Sequence, residues 1–464
     1  MSDDGLRQAR EKMHAAEVDT TAIEVFSRYY RELEAGATGL VRESSIEPLI
    51  APADVSQATV GEVDARRALS RTAVIKLNGG LGTSMGMEQA KSLLPVRDQR
   101  TFLDVIVAQV RHARQAYDVT LPLMLMNSFR TRQDTLSALA RHPDVAVEGL
   151  PLDFLQNQEP KLLAQDLTPV HWPADPTLEW CPPGHGDLYT SLFGSGLLQR
   201  LVDEGYHYAF VSNSDNLGAT PDPILAGWFA ASGAPYAAEV CLRTPADRKG
   251  GHLAVRRSDG RLILRDTAQT APEDMHYFTD EHRHPYVHTN NLWFDLRELH
   301  RILCERNGVL ELPLIRNVKP VDPSDPSSPE VIQVESAMGA AIEVFEGAQA
   351  LGVPRERFLP VKTTDDLLLV RSDVYDVGAD GALRMVIDTA PQVRLDRAHY
   401  TRIGDFDARF PAGVPSLRGA RSLTVRGDWT FGADVVVAGH VELQDLGTPQ
   451  HVPDHARLDG APRP

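Results

Sequence analysis

The stretch "AVIKLNGGLGTSMGMEQAKSLLPV", Ala73 to Val96, places four glycines in eight positions, Gly79, Gly80, Gly82 and Gly86, and then sets Lys91 among apolar residues. The segment "TAVIKLN" that leads into it reads as an apolar strand ended by a turn signal. Glycines at a strand end strip Cβ atoms from the turn and free backbone N–H groups to approach a phosphate oxygen or a base edge. A single glycine would speak for tight packing alone. Four of them, with Asn78 before and a lysine after, speak for a ligand. Two familiar phosphate motifs fail the test. A Walker loop needs Gly-Lys-Ser/Thr, but Gly86 is followed by Met87; a dinucleotide fingerprint begun at Gly80 needs a third glycine where Met85 stands. The apolar flank "SLLPV" predicts that the Lys91 stem lies on the core with its ammonium directed inward. Glu88 is expected to point away, because a carboxylate near phosphates costs binding.

Outward from this loop the chain alternates strand and helix. "TFLDVIVAQVRHARQAY" reads as a helix with Thr101 as N-cap and Phe102, Val105, Ile106 and Val110 along one face. The strand "LPLMLMNS", the helix "RTRQDTLSALARH", the helix "DLYTSLFGSGLLQRLVDEG" and the strand "YAFVSN" follow. Such alternation implies an open α/β sheet covered on both faces. "HLAVRRSDGRLILRD" reads as a hairpin turning at Ser258, Asp259 and Gly260, so the sheet is expected to be mixed. Residues 1–70 read as a helical segment packed on the main domain. In it Ile23, Phe26, Tyr30 and Leu33 share a face, Thr21 and Glu24 match a capping box, and Gly36 ends the run. After Ser372 the texture becomes short alternating β segments broken by glycine, as in "LTVRGDWTFGADVVVAGHVELQD", and suggests a small separate domain with a few β-helix coils. The Pro- and Gly-rich residues 447–464 are expected to be poorly ordered.

Composition narrows the function classes. A chain of 464 residues exceeds one core and suits two or three domains. With 64 Asp plus Glu against 47 Lys plus Arg, the net charge is −17, which argues against nucleic acid as a partner. Backbone N–H groups and a few lysines still suffice for a small phosphate ligand. No apolar run is long enough to span a bilayer, so no membrane partner is expected. The polar, acidic start "MSDDGLRQAREKMHAAE" has the pattern of neither a signal nor a transit peptide, and a cytoplasmic location is the expectation. Cys181, Cys241 and Cys304 share no metal-ligand spacing and read as reduced thiols.

"KLNGGLGTSMG" followed by "KSLLPV" resembles the UDP-glucose pyrophosphorylase family. The likeness runs on in order through "FLQNQEPKL", "WCPPGHGDLYTSL", "FVSNSDNLGAT", "RKGGHLAV", "HTNNLWFDL", "VIQVESAMGAAIEVF" and "RFLPVKTTDDLLLV", about residues 72–371. The related UDP-N-acetylhexosamine pyrophosphorylases carry Gly-Thr-Arg inside the loop. Here Gly82, Thr83, Ser84, Met85 and Gly86 stand, which favours the glucose branch.

The resemblance implies a Rossmann-like mixed-sheet nucleotidyltransferase domain of the glycosyltransferase-A type over residues 71–372. A helical segment precedes it over 1–70, and a short, left-handed β-helix-like domain with a flexible tail follows over 373–464. It implies transfer of uridylyl from UTP to glucose 1-phosphate, with Mg²⁺ as cofactor. Galactose 1-phosphate or N-acetylhexosamine 1-phosphate is the alternative acceptor, and a catalytically silent nucleotide-binding scaffold is the reading from another class. By motif position Leu77, Asn78, Gly79 and Gly80 match the nucleotide loop, Lys91 the lysine on the UTP phosphates, and Gln156 and Gly184 the uracil contacts. His185, Asn213, Asn290, Asn291, Glu335 and Lys362 match sugar-phosphate contacts. Asp215, just beyond the strand "FVSN", matches a Mg²⁺ ligand; ligands of open α/β sheets bind beyond the carboxyl ends of the strands. Lys91, Lys362 and Asp215 are thus the expected catalytic groups. Family members commonly extend further at the C-terminal β-helix, whose last strand makes subunit contacts, so monomer and homo-oligomer both stay open.

Overall fold

The computed structural model describes residues 2–97 and 99–460. Its centre is an eight-stranded sheet. In chain order its strands are β1 (Ala53–Asp54), β2 (Thr72–Asn78), β3 (Leu123–Asn127), β4 (Asp153–Leu155), β5 (Tyr208–Asn213), β6 (Tyr236–Leu242), β7 (Tyr286–Asp295) and β8 (Gln349–Gly352). Across the sheet they lie in the order β1-β8-β6-β7-β5-β2-β3-β4. Strand β7 is antiparallel to β5 and to β6, while β5-β2, β2-β3, β3-β4, β6-β8 and β8-β1 pair in parallel. The sheet is mixed, as expected, but β7 makes it so. The hairpin of residues 252–265 forms a separate three-stranded sheet with Ile46–Pro48.

Alternation along the central strands sends side chains to two cores. On β2, Val74 joins one apolar cluster and Ala73 and Ile75 the other; on β5, Phe210 faces the first and Ala209 and Val211 the second. Helix α1 (Ser2–Ala15) and helix α2 (Thr20–Glu34) cover a third cluster, in which Ile23, Phe26, Tyr30 and Leu33 are buried together as their spacing predicts. The cap of α2 is not the expected Thr21–Glu24 box. Asp19 accepts the Thr21 N–H, and Glu24 pairs with Arg10. Residues 35–70 are less helical than expected, with short strands before helix α3 (Glu62–Ser70). Helix α4 (Phe102–Tyr117) does begin at a reciprocal Thr101–Asp104 capping box.

Two further expectations need correction. The single helix expected over residues 187–205 is two, α5 (Asp187–Gly194) and α6 (Leu197–Asp203). Gly196 caps α6 at φ 71°, a left-handed conformation that breaks helical continuity at little cost to glycine. The segment expected to be poorly ordered is strand-forming over 450–459. With β9 (Gln392–Arg394), β10 (Ser416–Val425), β11 (Trp429–Phe431) and β12 (Val436–Leu443), it supplies β13 (Gln450–Val452) and β14 (Arg457–Asp459). All pair in parallel, as β9-β10-β12-β14 and β11-β13, so the Pro/Gly-rich stretch is ordered by the ladder beside it. Residues 461–464 of that segment lie outside the described residues.

The C-terminal residues share the first apolar cluster. Tyr375, Leu395, Phe410, Leu423, Phe431 and Val452 continue the packing of Val74, Phe102 and Phe210. Removing residues 373–460 therefore strips one side from a common core, and burial on this scale stabilises by about 25 cal/mol per Å² of apolar surface. The truncated chain is expected to lose soluble expression and its sharp melting transition. A soluble fragment that melts cooperatively near the temperature of the full chain would show that the two halves of the cluster are independent.

Candidate active site

Parallel pairing of β2 with β5 puts Leu77 opposite Asn213, so the glycine loop and the segment carrying Asp215 leave the same edge of the sheet together. The Ser214 N–H donates to Leu77 O at 3.1 Å and extends the ladder by one residue. The loop then turns back: Leu81 bridges Ala90, and the Lys91 N–H reaches Gly80 O at 3.2 Å. This return delivers the Lys91 ammonium to the Asp215 carboxylate, Nζ to Oδ2 at 2.7 Å. Both side chains are mostly shielded, with exposures of 16% and 21%, so the pair sits in a recess. Lys91 thus points inward as its flank predicts, and Glu88 is exposed.

Lys362 comes from a distant segment to the same place. The Val361 N–H donates to Asp215 O at 3.1 Å, and Asn216 bridges Pro360, so Lys362 follows directly on a contact with the metal-ligand candidate. Its side chain is exposed. Its own N–H and that of Thr363 bond the Asp366 carboxylate in the capping box of helix α7 (Thr364–Arg371).

On the other flank the candidate base contacts meet. The Gln156 amide donates to Gly184 O at 2.8 Å, and a Cβ on Gly79 would lie 2.6 Å from Gln156 Oε1. A side chain at Gly79 would have to push the Gln156 amide out of this position. Gly184 adopts φ 77°, and a Cβ there would stand 2.6 Å from Ser336 O and 3.0 Å from Glu335 Cβ. Glu335, at the end of strand Glu330–Glu335, is half-buried against this turn. His185 Nδ1 accepts the Met338 N–H at 2.9 Å, and burial pushes its pKa down. A neutral ring that accepts through Nδ1 carries its proton on Nε2, which is then a donor. Gly80 has open space around it, as approach by a ligand requires.

Three expected site residues are placed differently from one another. Asn290 departs from strand geometry at φ 59°, with its N–H on His288 Nδ1 at 3.2 Å. The neighbouring Asn291 is wholly buried and its amide bonds Asn216, Glu239 and Arg357 O, so it lies behind the site rather than facing a sugar. Asn78 is also buried. Its amide donates to Asn127 and Thr135, which ties the ends of β2 and β3 under the glycine turn. Sequence reasoning missed Ser128, whose hydroxyl holds Gly79 O at 2.9 Å, and the Ser336 backbone that closes on Gly184. It also missed Glu239 and Arg357, a buried ion pair whose Arg357 carbonyl accepts from the Asn216 amide. The one local signal for it is a charge inside the apolar strand "YAAEVCL".

Residues 23–438 match the sequence family UTP–glucose-1-phosphate uridylyltransferase. The chain is 38% identical to the probable UTP–glucose-1-phosphate uridylyltransferase of Schizosaccharomyces pombe over 424 residues, covering 90% of this chain and 81% of that one. It is 36% identical to the UTP–glucose-1-phosphate uridylyltransferase of Hordeum vulgare over 468 residues, covering 98% and 95%. Among solved structures it is similar to a mutant of the Leishmania major UDP-glucose pyrophosphorylase in complex with UDP-glucose. The TM-score is 0.92 and the identity 42%, with 98% of each chain covered.

Asp187 supports the Gln156 flank, accepting the Asn157 N–H at 2.6 Å, the Asn157 amide at 2.9 Å and the Ser191 hydroxyl at 2.7 Å. Burial outweighs these bonds and lifts its pKa from 3.8 to about 6. An acid raised on folding binds more protons folded than unfolded between those two values. Ionised Asp187 therefore costs stability, with no penalty below pH 3.8 and the full penalty above pH 6. Asp187→Asn removes the titration. Urea unfolding should show the variant gaining on the wild type by roughly 2 kcal/mol between pH 4 and pH 7. A gap that is constant with pH would place the Asp187 titration elsewhere.

Proposed function

The chain belongs to the UTP–glucose-1-phosphate uridylyltransferase family, a nucleotidyltransferase that makes UDP-glucose and pyrophosphate from UTP and glucose 1-phosphate, and we propose that it works by positioning and charge neutralisation without a general base. A phosphate oxygen of glucose 1-phosphate attacks the α-phosphorus of UTP in line. The new P–O bond forms as the bond to the bridging oxygen breaks, and pyrophosphate leaves. The attacking oxygen is already anionic, so no proton has to be removed. What the site must supply is fixed positive charge where negative charge gathers. The observation that carries this reading is the meeting of Lys91, Asp215 and the Lys362 backbone at one strand end, beside the glycine turn.

In this reading Lys91 turns to the nucleotide phosphates that arrive with the glycine loop, and Lys362 addresses the sugar phosphate from the other side. The Gly79–Gly80 turn, Gln156 and Gly184 receive uracil, with Leu77 and Asn78 shaping the strand end beneath them. His185, Asn213, Asn290 and Glu335 surround the sugar phosphate. Glucose is favoured over galactose or N-acetylhexosamine by the names of the relatives and by UDP-glucose in the Leishmania major structure.

Mg²⁺ dehydrates reluctantly and is held by one or two carboxylates together with substrate phosphates. Among the described residues no three His, Cys, Asp or Glu converge as a metal cage, and Asp215 offers a carboxylate beside the phosphate-directed lysine. That donor set fits an ion carried in by the phosphates, with Asp215 as its protein ligand. Bound there, Mg²⁺ supplies further neutralisation of phosphate charge.

The finer architecture belongs to the same proposal. The central domain is Rossmann-like, and the parallel ladders after residue 372 support a short left-handed β-helix through which the protein is a monomer or a homo-oligomer. A cytoplasmic setting accords with the acidic composition, and among the described residues no helix is long and apolar enough to cross a membrane.

Incubation with UTP, MgCl₂ and glucose 1-phosphate should yield pyrophosphate and UDP-glucose, and EDTA should abolish both. Asp215→Asn should cut the rate by about 10²–10³-fold, the usual cost of losing a charge-stabilising group in such a site. Full turnover in EDTA, or in the variant, removes Asp215 and its metal from the mechanism.

The two lysines should separate by what they bind. Lys91→Ala is expected to weaken UTP binding as well as turnover. Lys362→Ala should leave UTP affinity nearly intact and depress the rate with glucose 1-phosphate by orders of magnitude. Arginine at either position should rescue poorly, because a planar fork does not replace a compact ammonium. Calorimetry with UTP beside steady-state rates decides it: equal loss of UTP affinity in both variants overturns the two-sided arrangement.

A further inference from the structure

Lys362 is exposed, and among the described residues its ammonium pairs with no carboxylate, so its place depends on its backbone. That backbone is tied to the Asp215 segment at three points: Val361 N–H to Asp215 O at 3.1 Å, the Asn216–Pro360 bridge, and Leu359 N–H to Asn216 Oδ1 at 2.8 Å. Asn216 is the shared joint. Its amide nitrogen donates to Arg357 O and to Asn291 Oδ1, both at 3.1 Å, and it is only 1% exposed.

Beneath this joint lies the ion pair. Arg357 Nε and Nη2 donate to the two oxygens of Glu239 at 2.7 and 2.8 Å, and Nη1 reaches Thr220 O at 3.1 Å. Glu239 also accepts from Trp293 Nε1 and from the Asn291 amide, each at 2.9 Å. The guanidinium therefore touches both loops: its own residue belongs to the Lys362 segment, and Thr220 belongs to the Asp215 segment. Gly218 brings the loops into backbone contact, since a Cβ there would stand 2.2 Å from Glu356 O.

A pair this buried is weak evidence for stability, because desolvation offsets the attraction and apolar replacements are often as stable. What the planar fork supplies that an apolar pair cannot is one fixed orientation. We infer that Arg357 is a positioning residue: held by Glu239, it sets through Asn216 the placement of Lys362 relative to Asp215. The inference rests on the reading that Lys362 and Asp215 act on the phosphates. It adds a residue that touches neither substrate and acts through Lys362.

Arg357→Lys keeps the charge that Glu239 requires and removes the fork. A displacement of about 1 Å at a reacting group costs about 10²-fold in rate. Turnover is therefore expected to fall by about that factor, with UTP affinity by calorimetry changed less than about twofold, since Lys91 and the glycine turn are untouched. A double-mutant cycle supplies the readout that general loosening of the fold does not mimic. In the Lys362→Ala background the same change should lower turnover by less than about threefold, because the group it positions is gone. Asn216→Ala breaks the joint while leaving the ion pair whole, and should show the same contrast between the two backgrounds; because the relay from Arg357 runs through Asn216, equal losses in this variant overturn the inference even if Arg357→Lys does not melt cooperatively. Equal losses of turnover in both backgrounds, or a loss of UTP affinity that matches the loss of turnover, overturns the inference. Undiminished turnover in Lys362→Ala by itself overturns the assignment of Lys362 and the inference with it.

Discussion

Everything at the site follows from β2 and β5 lying side by side and parallel. Parallel neighbours end at one edge, so whatever each carries past its last residue is delivered to the same place. Leu77 stands opposite Asn213, and from that register the glycine turn and Asp215 emerge as neighbours. The antiparallel β7 then brings Asn290 and Asn291 past the same edge in mid-strand. A slip of one residue between β2 and β5 would exchange the two faces of the sheet along the slipped strand. The alternation of Ala73, Val74 and Ile75 between two cores holds the register against that slip.

The elements legible in the sequence are those whose determinants are local. Strands β2 and β5 have the bounds that "TAVIKLN" and "YAFVSN" predict, because burial on both faces demands an unbroken apolar run. Helix α4 was legible from its Thr101 cap. The long helix over 187–205 was not, since its apolar spacing continues across the break and only the φ of Gly196 ends it. The tail misled for the opposite reason. Proline and glycine describe its own propensity, whereas β13 and β14 are ordered by neighbours already laid down in β11 and β12.

At the site the motif residues largely converge, and the exceptions are instructive. Asn290 and Asn291 are adjacent and chemically identical, and both fall where the β6–β7 register breaks between His288 and Leu292, yet only Asn290 takes a left-handed φ, at 59°. Asn291 turns its amide to the buried Glu239 carboxylate on β6. Nothing in the pair of letters tells which is which. The Glu239–Arg357 contact spans 118 positions, so no local pattern announces it. Lys76 gave the same muted signal, a charge in an apolar strand. It is fully buried, donates to Ser212 Oγ and Ala219 O at 2.7 Å each, and burial pulls its pKa down to about 7. A charged residue inside a strand buried on both faces is a question about what lies beneath the site.

In a chain with a net charge of −17, the proposed site would have to hold polyanions by local means. Backbone N–H groups at the glycine turn bring no counter-charge of their own, and burial disfavours the His185 cation, which suits it to the proposed role of a neutral donor. The lysines carry the net positive charge, and Asp215 already holds Lys91 at 2.7 Å. A free lysine would sample many rotamers and lose that freedom when phosphates arrive, at a cost in entropy. Paired with a shielded carboxylate, Lys91 has met most of that cost in advance. In the proposed reading, phosphates at Lys91 would exchange one anionic partner for another, and the carboxylate released would be the group suited to hold Mg²⁺. On that reading the one contact would keep the lysine in place before the substrate and leave Asp215 available as the proposed metal ligand once it arrives.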